Sequence, residues 1–254
     1  MTELYKQLVN SNFLAAAKRG DVAVADAMLK DGARLHVSDH DDKTALHIAA
    51  ENGQAKMIEF LLSKGAEPKG VDEDGNIPLA LALKAGHEAA SLALVKAEFN
   101  SAAKDKRGFG LLHHAVEFEF VVAALLGKGL AVDDKTEKDE TPLHIAAEKN
   151  AVGAARRLLA AGANINAQNG SGMTPLIIAV RAENLEMAEF LLKEGADAAK
   201  QTHMSLTAAD LAHMRKSPEM EALLKRAFEE YDMIQLTEGS RHDVPVMHAI
   251  KLKR

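Results

Sequence analysis

A short motif returns along this chain at a nearly constant interval. It reads Thr44-Ala45-Leu46-His47-Ile48-Ala49-Ala50 in one copy, Thr141-Pro142-Leu143-His144-Ile145-Ala146-Ala147 in another and Thr174-Pro175-Leu176-Ile177-Ile178-Ala179-Val180 in a third. Weaker copies read Ile77-Pro78-Leu79-Ala80-Leu81-Ala82 and Gly110-Leu111-Leu112-His113-His114-Ala115. A terminal copy reads Thr207-Ala208-Ala209-Asp210-Leu211-Ala212, and a degenerate first copy ends in Phe13-Leu14-Ala15-Ala16-Ala17. The starts fall at 11, 44, 77, 110, 141, 174 and 207, a step of 33 residues with one exception of 31. The second half of the unit recurs too, as a large apolar pair and then Gly-Ala: Met28-Leu29 with Gly32-Ala33, Leu61-Leu62 with Gly65-Ala66, Leu158-Leu159 with Gly162-Ala163, Leu191-Leu192 with Gly195-Ala196. Units of this length cannot bury an apolar face alone, so they stack, and each gains its core from its neighbours.

The residues of one unit dictate two helices. Thr44 is placed to cap the first, and in later copies Pro142 and Pro175 occupy the first helical position, where a missing N–H costs no bond. Leu46, Ala49 and Ala50 share one face at helical spacing, and Asn52-Gly53 ends the helix. Met57, Ile58, Leu61 and Leu62 form the apolar stripe of the second helix, which stops at Gly65. The chain is 47% hydrophobic but only 4% aromatic, without Trp. Small aliphatic side chains let helices approach closely, which suits a helical stack better than a β-sandwich.

Two units depart from the pattern. The third has Glu98-Phe99 where Gly-Ala stands elsewhere, so its second helix is expected to run on or end irregularly. The fourth is two residues short, with Glu117-Phe118-Glu119-Phe120 in place of a turn glycine, which predicts a tighter or distorted interhelical turn. The end units carry charged outer residues, Lys6, Lys18, Arg19 and Lys30 at one end and Lys216 to Glu230 at the other, as terminal caps require.

The period and the Thr-Pro-Leu-His-x-Ala-Ala signature resemble the ankyrin repeat family. The resemblance implies an all-α ankyrin-repeat solenoid of stacked helix-turn-helix units with β-hairpin-like loops. It implies one domain over 1–230, with units near 11–42, 43–75, 76–108, 109–139, 140–172, 173–205 and 206–230, the first and last as caps. Residues 231–254 form a C-terminal extension that reads as extended or partly ordered. His47, His113 and His144 hold one motif position, and the resemblance implies that they bond neighbouring loop backbone and bind no metal. It also implies a concave face built from hairpin tips and the outward side of the first helices. On that face we place the candidate partner-binding residues Lys106, Arg107, Phe109, Phe118, Lys149, Met173, Arg181, Met204 and Arg215. Phe109 has two readings: an aromatic anchor rimmed by charge, or a ring folded inward beside the irregular fourth unit. Asn166 resembles the hairpin asparagine hydroxylated in many animal members, or is simply a turn residue.

Net charge is −6, which gives no footprint for nucleic acid, and Cys is absent. Acidic tips around Asp39 to Asp42, Asp72 to Asp74 and Glu137 to Glu140 lack the ligand offsets of a calcium loop. No phosphate loop, nucleophile elbow or His-Glu-x-x-His occurs, so no enzymatic activity, cofactor or metal is expected. No secretory signal or membrane-length apolar run is read, and the expected setting is the cytoplasm. The expected function is an adaptor, inhibitor or scaffold that binds another protein as a monomer, away from nucleic acid and membrane. The alternative is a bacterial effector that engages a host protein through its repeats.

Overall fold

The computed structural model describes residues 2–237. Among these the regular structure is helical, with isolated antiparallel bridges at Ser38–Thr44 and Lys104–Gly110 marking hairpin-like loops. The chain divides into two compact units, one ending at Glu137 and one beginning at Lys138.

The first unit holds four helix pairs: α1 (Glu3–Arg19) with α2 (Val22–Lys30), α3 (Ala45–Glu51) with α4 (Ala55–Ser63), α5 (Pro78–Lys84) with α6 (Glu88–Val95), and α7 (Leu111–Ala115) with α8 (Glu119–Gly127). First helices pack in the series α1, α3, α5, α7, and second helices in the series α2, α4, α6, α8. The second unit repeats this with α9 (Pro142–Glu148) and α10 (Val152–Ala160), α11 (Pro175–Arg181) and α12 (Leu185–Lys193), α13 (Ala208–Arg215) and α14 (Pro218–Thr237). Helix α14 passes position 230, and the rest of the expected extension, 238–254, lies outside the described residues.

The internal first helices are buried nearly all round, whereas the terminal α1 and α13 bury one side. In α3 every residue from Ala45 to Ala50 is buried, and α9 and α11 match it. A helix packed on both sides needs small residues where it meets its neighbours, which accounts for the alanines. The second helices bury only a stripe, Met57, Ile58 and Leu61 in α4.

Gly53 turns α3 into α4 at φ +70°, and a Cβ there would lie 2.7 Å from His87 Nδ1. That close approach serves a bond, because His87 Nε2 reaches Glu51 O at 3.2 Å. The same tie recurs from other second-helix N-caps to the preceding first helix. Gln54 Nε2 donates to Lys18 O at 3.2 Å, and Asn184 Nδ2 donates to Ala147 O and Glu148 O at 2.9 Å each. These bonds satisfy carbonyls that a helix C-terminus leaves open.

The motif histidines join helix to loop. Nδ1 of His47 accepts the Thr44 N–H at 3.3 Å, so Nε2 carries the proton and faces Gly70 O at 3.1 Å and Asn76 O at 3.2 Å. His144 does the same between the Thr141 N–H, 3.1 Å, and Met173 O, 3.0 Å. Burial holds the His47 imidazole below its ordinary pKa, which keeps this neutral arrangement. Where Ile177 replaces the histidine, the Thr174 hydroxyl caps α11 by accepting the Ile177 N–H at 3.3 Å.

Both irregular units behave distinctively. Helix α6 does not run on; it stops at Val95, and Lys96 beyond it is right-handed. The equivalent stop after α4 uses Gly65 at φ +90°. The two-residue deletion shortens α7 to five residues, and the Val116–Phe118 turn contains no left-handed residue.

Candidate docking surface: hairpin tips and first helices

Four hairpin tips are each built around one side chain that accepts backbone N–H groups two and four residues on. Asp39 Oδ1 accepts from Asp41 and Lys43, both at 3.0 Å, and Asp105 Oδ1 from Arg107 at 2.9 Å and Phe109 at 3.0 Å. Asn169 Oδ1 accepts from Ser171 and Met173 at 3.0 Å, and Thr202 Oγ1 from Met204 at 3.3 Å and Leu206 at 3.2 Å. This geometry orders a turn through its own polar side chain. Tips are then linked by backbone bonds: Glu73 N to Asp41 O, 2.9 Å; Glu137 N to Arg107 O, 3.2 Å; Gly170 N to Lys138 O, 2.8 Å; His203 N to Ser171 O, 3.1 Å.

On this frame the first unit places Lys106, Arg107 and Phe109 on the fourth-repeat tip. Lys106 is exposed, and its ammonium donates to Asp74 Oδ1 at 2.8 Å, joining two tips. That bond holds the Asp74 carboxyl below its usual range. The Arg107 guanidinium lies 4.6 Å from the centre of the Phe109 ring. The ring also contacts His113 and His114, with centroids at 5.5 and 5.6 Å. Phe109 is therefore half-buried, held between an arginine and two imidazoles.

Phe118 requires a correction. Because α7 ends at Ala115, Phe118 is not on a first helix; it is the half-buried N-cap residue of α8. It holds the place where Gln54, His87 and Asn184 tie their repeat to the one before, a bond that a phenyl ring cannot make. In this segment the aromatic that reaches solvent is Phe120, 64% exposed on α8. Its position is Lys56 in α4 and Glu186 in α12, and that alignment was the signal available for finding it.

In the second unit Met173 and Arg181 are brought together, Nη1 lying 3.5 Å from Sδ, and Arg181 also reaches Glu148 at 3.4 Å. Lys149 is exposed at the C-cap of α9. Met204 is 83% exposed on the last tip, and Arg215 on α13 meets Glu183 at 3.6 Å. Asn166 is a bridging turn residue: its Oδ1 accepts the Asp197 N–H at 2.9 Å.

Among the described residues, Asp39, His40 and Asp41 each bring one ligand atom within 4.8 Å of the others, a grouping that spacing did not reveal. Asp39 already accepts two backbone bonds there, and His40 is almost fully exposed, so the cluster reads as tip structure. No described helix is long and apolar enough to cross a membrane.

Comparison with known proteins agrees with this geometry. The family described as ankyrin repeats (3 copies) matches residues 13–105, 93–169 and 112–202. The chain is 33% identical over 153 residues to the chicken (Gallus gallus) nuclear factor NF-kappa-B p105 subunit, covering 58% of this chain and 16% of that protein. It is 30% identical over 176 residues to the rice (Oryza sativa subsp. japonica) E3 ubiquitin-protein ligase XB3, covering 63% and 39%. It thus matches well under half the length of either relative. Among solved structures, the human ASB11 ankyrin repeat domain superposes with a TM-score of 0.73 at 24% identity, over 85% of this chain and 96% of that one. The Bcl-3 ankyrin repeat domain gives 0.69 at 25% identity, over 84% and 97%. The helix pairs, the Thr–His caps and the stapled hairpins are those of one family: the chain belongs to the ankyrin repeat proteins.

Proposed function

We propose that this chain is a protein-interaction module whose partner docks on the tips and first helices, with the Arg107–Phe109 pair as one anchor. Ankyrin repeats generally act by binding other proteins, and the chain carries no catalytic motif that would add chemistry. The observation that carries the reading is the posture of the fourth tip. An aromatic ring held between a guanidinium and two imidazoles is rigid before any partner arrives, so docking on it loses little side-chain entropy. Arginine and aromatic residues with a charged rim are the composition of binding hot spots. The second unit offers a separate set, with Met173 against Arg181 and the exposed Met204.

The test begins with a partner captured from native extract, identified and purified. Its affinity is then measured for wild type, Phe109→Ala, Arg107→Ala and the double variant Arg181→Ala/Met204→Ala. Loss of about tenfold or more for Phe109→Ala, at unchanged helicity, is expected of a hot-spot residue. Unchanged affinity in all three variants would move docking to another surface.

A further inference from the structure

Position 114 is an aliphatic site in other repeats. Ile48, Leu81, Ile145 and Ile178 hold it, and all four are buried. The fourth repeat puts a histidine there, with a side chain only 12% exposed. Its Nε2 is buried and finds no protein hydrogen-bond partner among the described residues, although Asp105 Oδ2 lies 3.3 Å away, out of line for one. Beside it is a void of about 10 Å³, room for one water, lined by Asn76, Lys84, Asp105, Phe109 and Leu111 among others. The charged and titratable groups facing the imidazole are Lys84 from α5, Asp105 and Arg107 from the hairpin, and His113 on α7 itself. Lys84 Nζ also stands 3.8 Å from Asp105 Oδ2 and donates to Asn76 Oδ1 at 2.7 Å. Two fixed cations and one anion therefore surround a buried base that lies under the Phe109 ring.

We propose that His114 is a proton-operated latch for hairpin 103–110: neutral, it seats the hairpin on α7; protonated, it leaves its buried site for water and the hairpin lifts with Arg107 and Phe109. The hairpin is the element that yields. Leu111, Leu112 and Ala115 anchor α7 in the core, whereas the hairpin rests on His114 through the half-buried Phe109 ring and the Asp105 carboxylate. Its ties to neighbouring elements include the Glu137–Arg107 backbone bond, the Lys104 ammonium donating to Lys135 O at 3.0 Å, and the ion pairs of Lys104 with Asp134, Lys106 with Asp74 and Lys84 with Asp105.

Burial, and then Lys84, hold the seated imidazole down to about 4 against an ordinary 6.5, while Asp105 pulls the other way. Burial works against ionisation of Asp105, but the Arg107 and Phe109 N–H groups outweigh it, so that carboxyl stays charged in mild acid. The seated state thus binds fewer protons than the lifted one. It holds its full advantage above pH 6.5 and loses it as the pH falls toward 4. At pH 5.0 the ratio of lifted to seated hairpin should stand roughly 30-fold above its value at pH 7.5.

The latch is tested by amide hydrogen exchange on the full chain at pH 7.5 and 5.0, corrected for intrinsic rates. The reporter of hairpin protection is the Glu137 amide, which donates to Arg107 O at 3.2 Å from outside the hairpin and is freed when the hairpin lifts, with amides of α5 and α8 as internal reference. In wild type the hairpin protection should fall tenfold or more at pH 5.0 while the reference holds. In His114→Ile it should not change, and His114→Gln serves if the isoleucine variant fails to fold. Unchanged wild-type protection, an equal fall in His114→Gln, or a parallel fall in the reference amides would overturn the latch. The control of docking rests on the proposed function. A hairpin that lifts at pH 5.0 without weakening the purified partner's binding would uphold the latch and reject Arg107–Phe109 as the anchor.

Discussion

The second and fourth repeats lie in one compact unit and build their tips and second-helix cores alike, yet differ in the first helix and the turn that follows it. In the second repeat a seven-residue α3 ends at a left-handed Gly53, His87 settles against that glycine to bond Glu51 O, and Ile48 fills the core. In the fourth, α7 has five residues, the turn lacks a left-handed residue, Phe118 stands where a bonding N-cap belongs, and His114 replaces the aliphatic. Meanwhile Leu61 and Leu125 are both fully buried. Regularity in the second helices secures the stack. Irregularity is concentrated in the first helix and the turn after it, and the cost falls on the bond that the next N-cap makes elsewhere.

If this contrast is right, the largest effects should be equal in the two repeats. Leu61→Ala and Leu125→Ala should each lower unfolding free energy by about 2–5 kcal/mol in urea titrations, because both empty an equivalent core site. A much smaller loss at Leu125 would mean that the fourth repeat is loose throughout. The contrast should appear at the histidines. His47→Ala should cost about 1–3 kcal/mol by stranding the Thr44 N–H and the loop carbonyls, while His114→Ile at pH 7.5 should be neutral or stabilising, since it removes an unbonded buried polar atom. Gly53→Ala should cost about 1–2 kcal/mol through its positive φ and contact with His87. Phe120→Lys, which imports the residue of the second repeat, should change thermal stability by less than about 0.5 kcal/mol. A larger loss there would show the ring to be packed.

Much of this was legible in the residues. The 33-residue step located the helix pairs, and Gly53, Gly65 and the Thr-Pro starts marked their ends, because backbone geometry at those points depends on the residue itself. Asn150, Glu183 and Lys216 adopt left-handed turns without glycine, so the turn survived where its best local signal was missing. The candidate surface was harder to read. The posture of Phe109 depends on Arg107 above it and two histidines below, a tertiary arrangement that no spacing encodes. Phe118 was misplaced because a deletion can be taken up by either helix or by the turn, and only the shortened α7 shows which.

The central claim is that the repeats differ in their inter-repeat bonding and share their second-helix cores. Native-state hydrogen exchange, followed repeat by repeat at pH 7.5, tests it most directly. Amides of α7 should open with a free energy at least about 1–2 kcal/mol below those of α3, with α4 and α8 closely matched. Protection of α7 equal to that of α3, or a clear gap between α4 and α8, would contradict it.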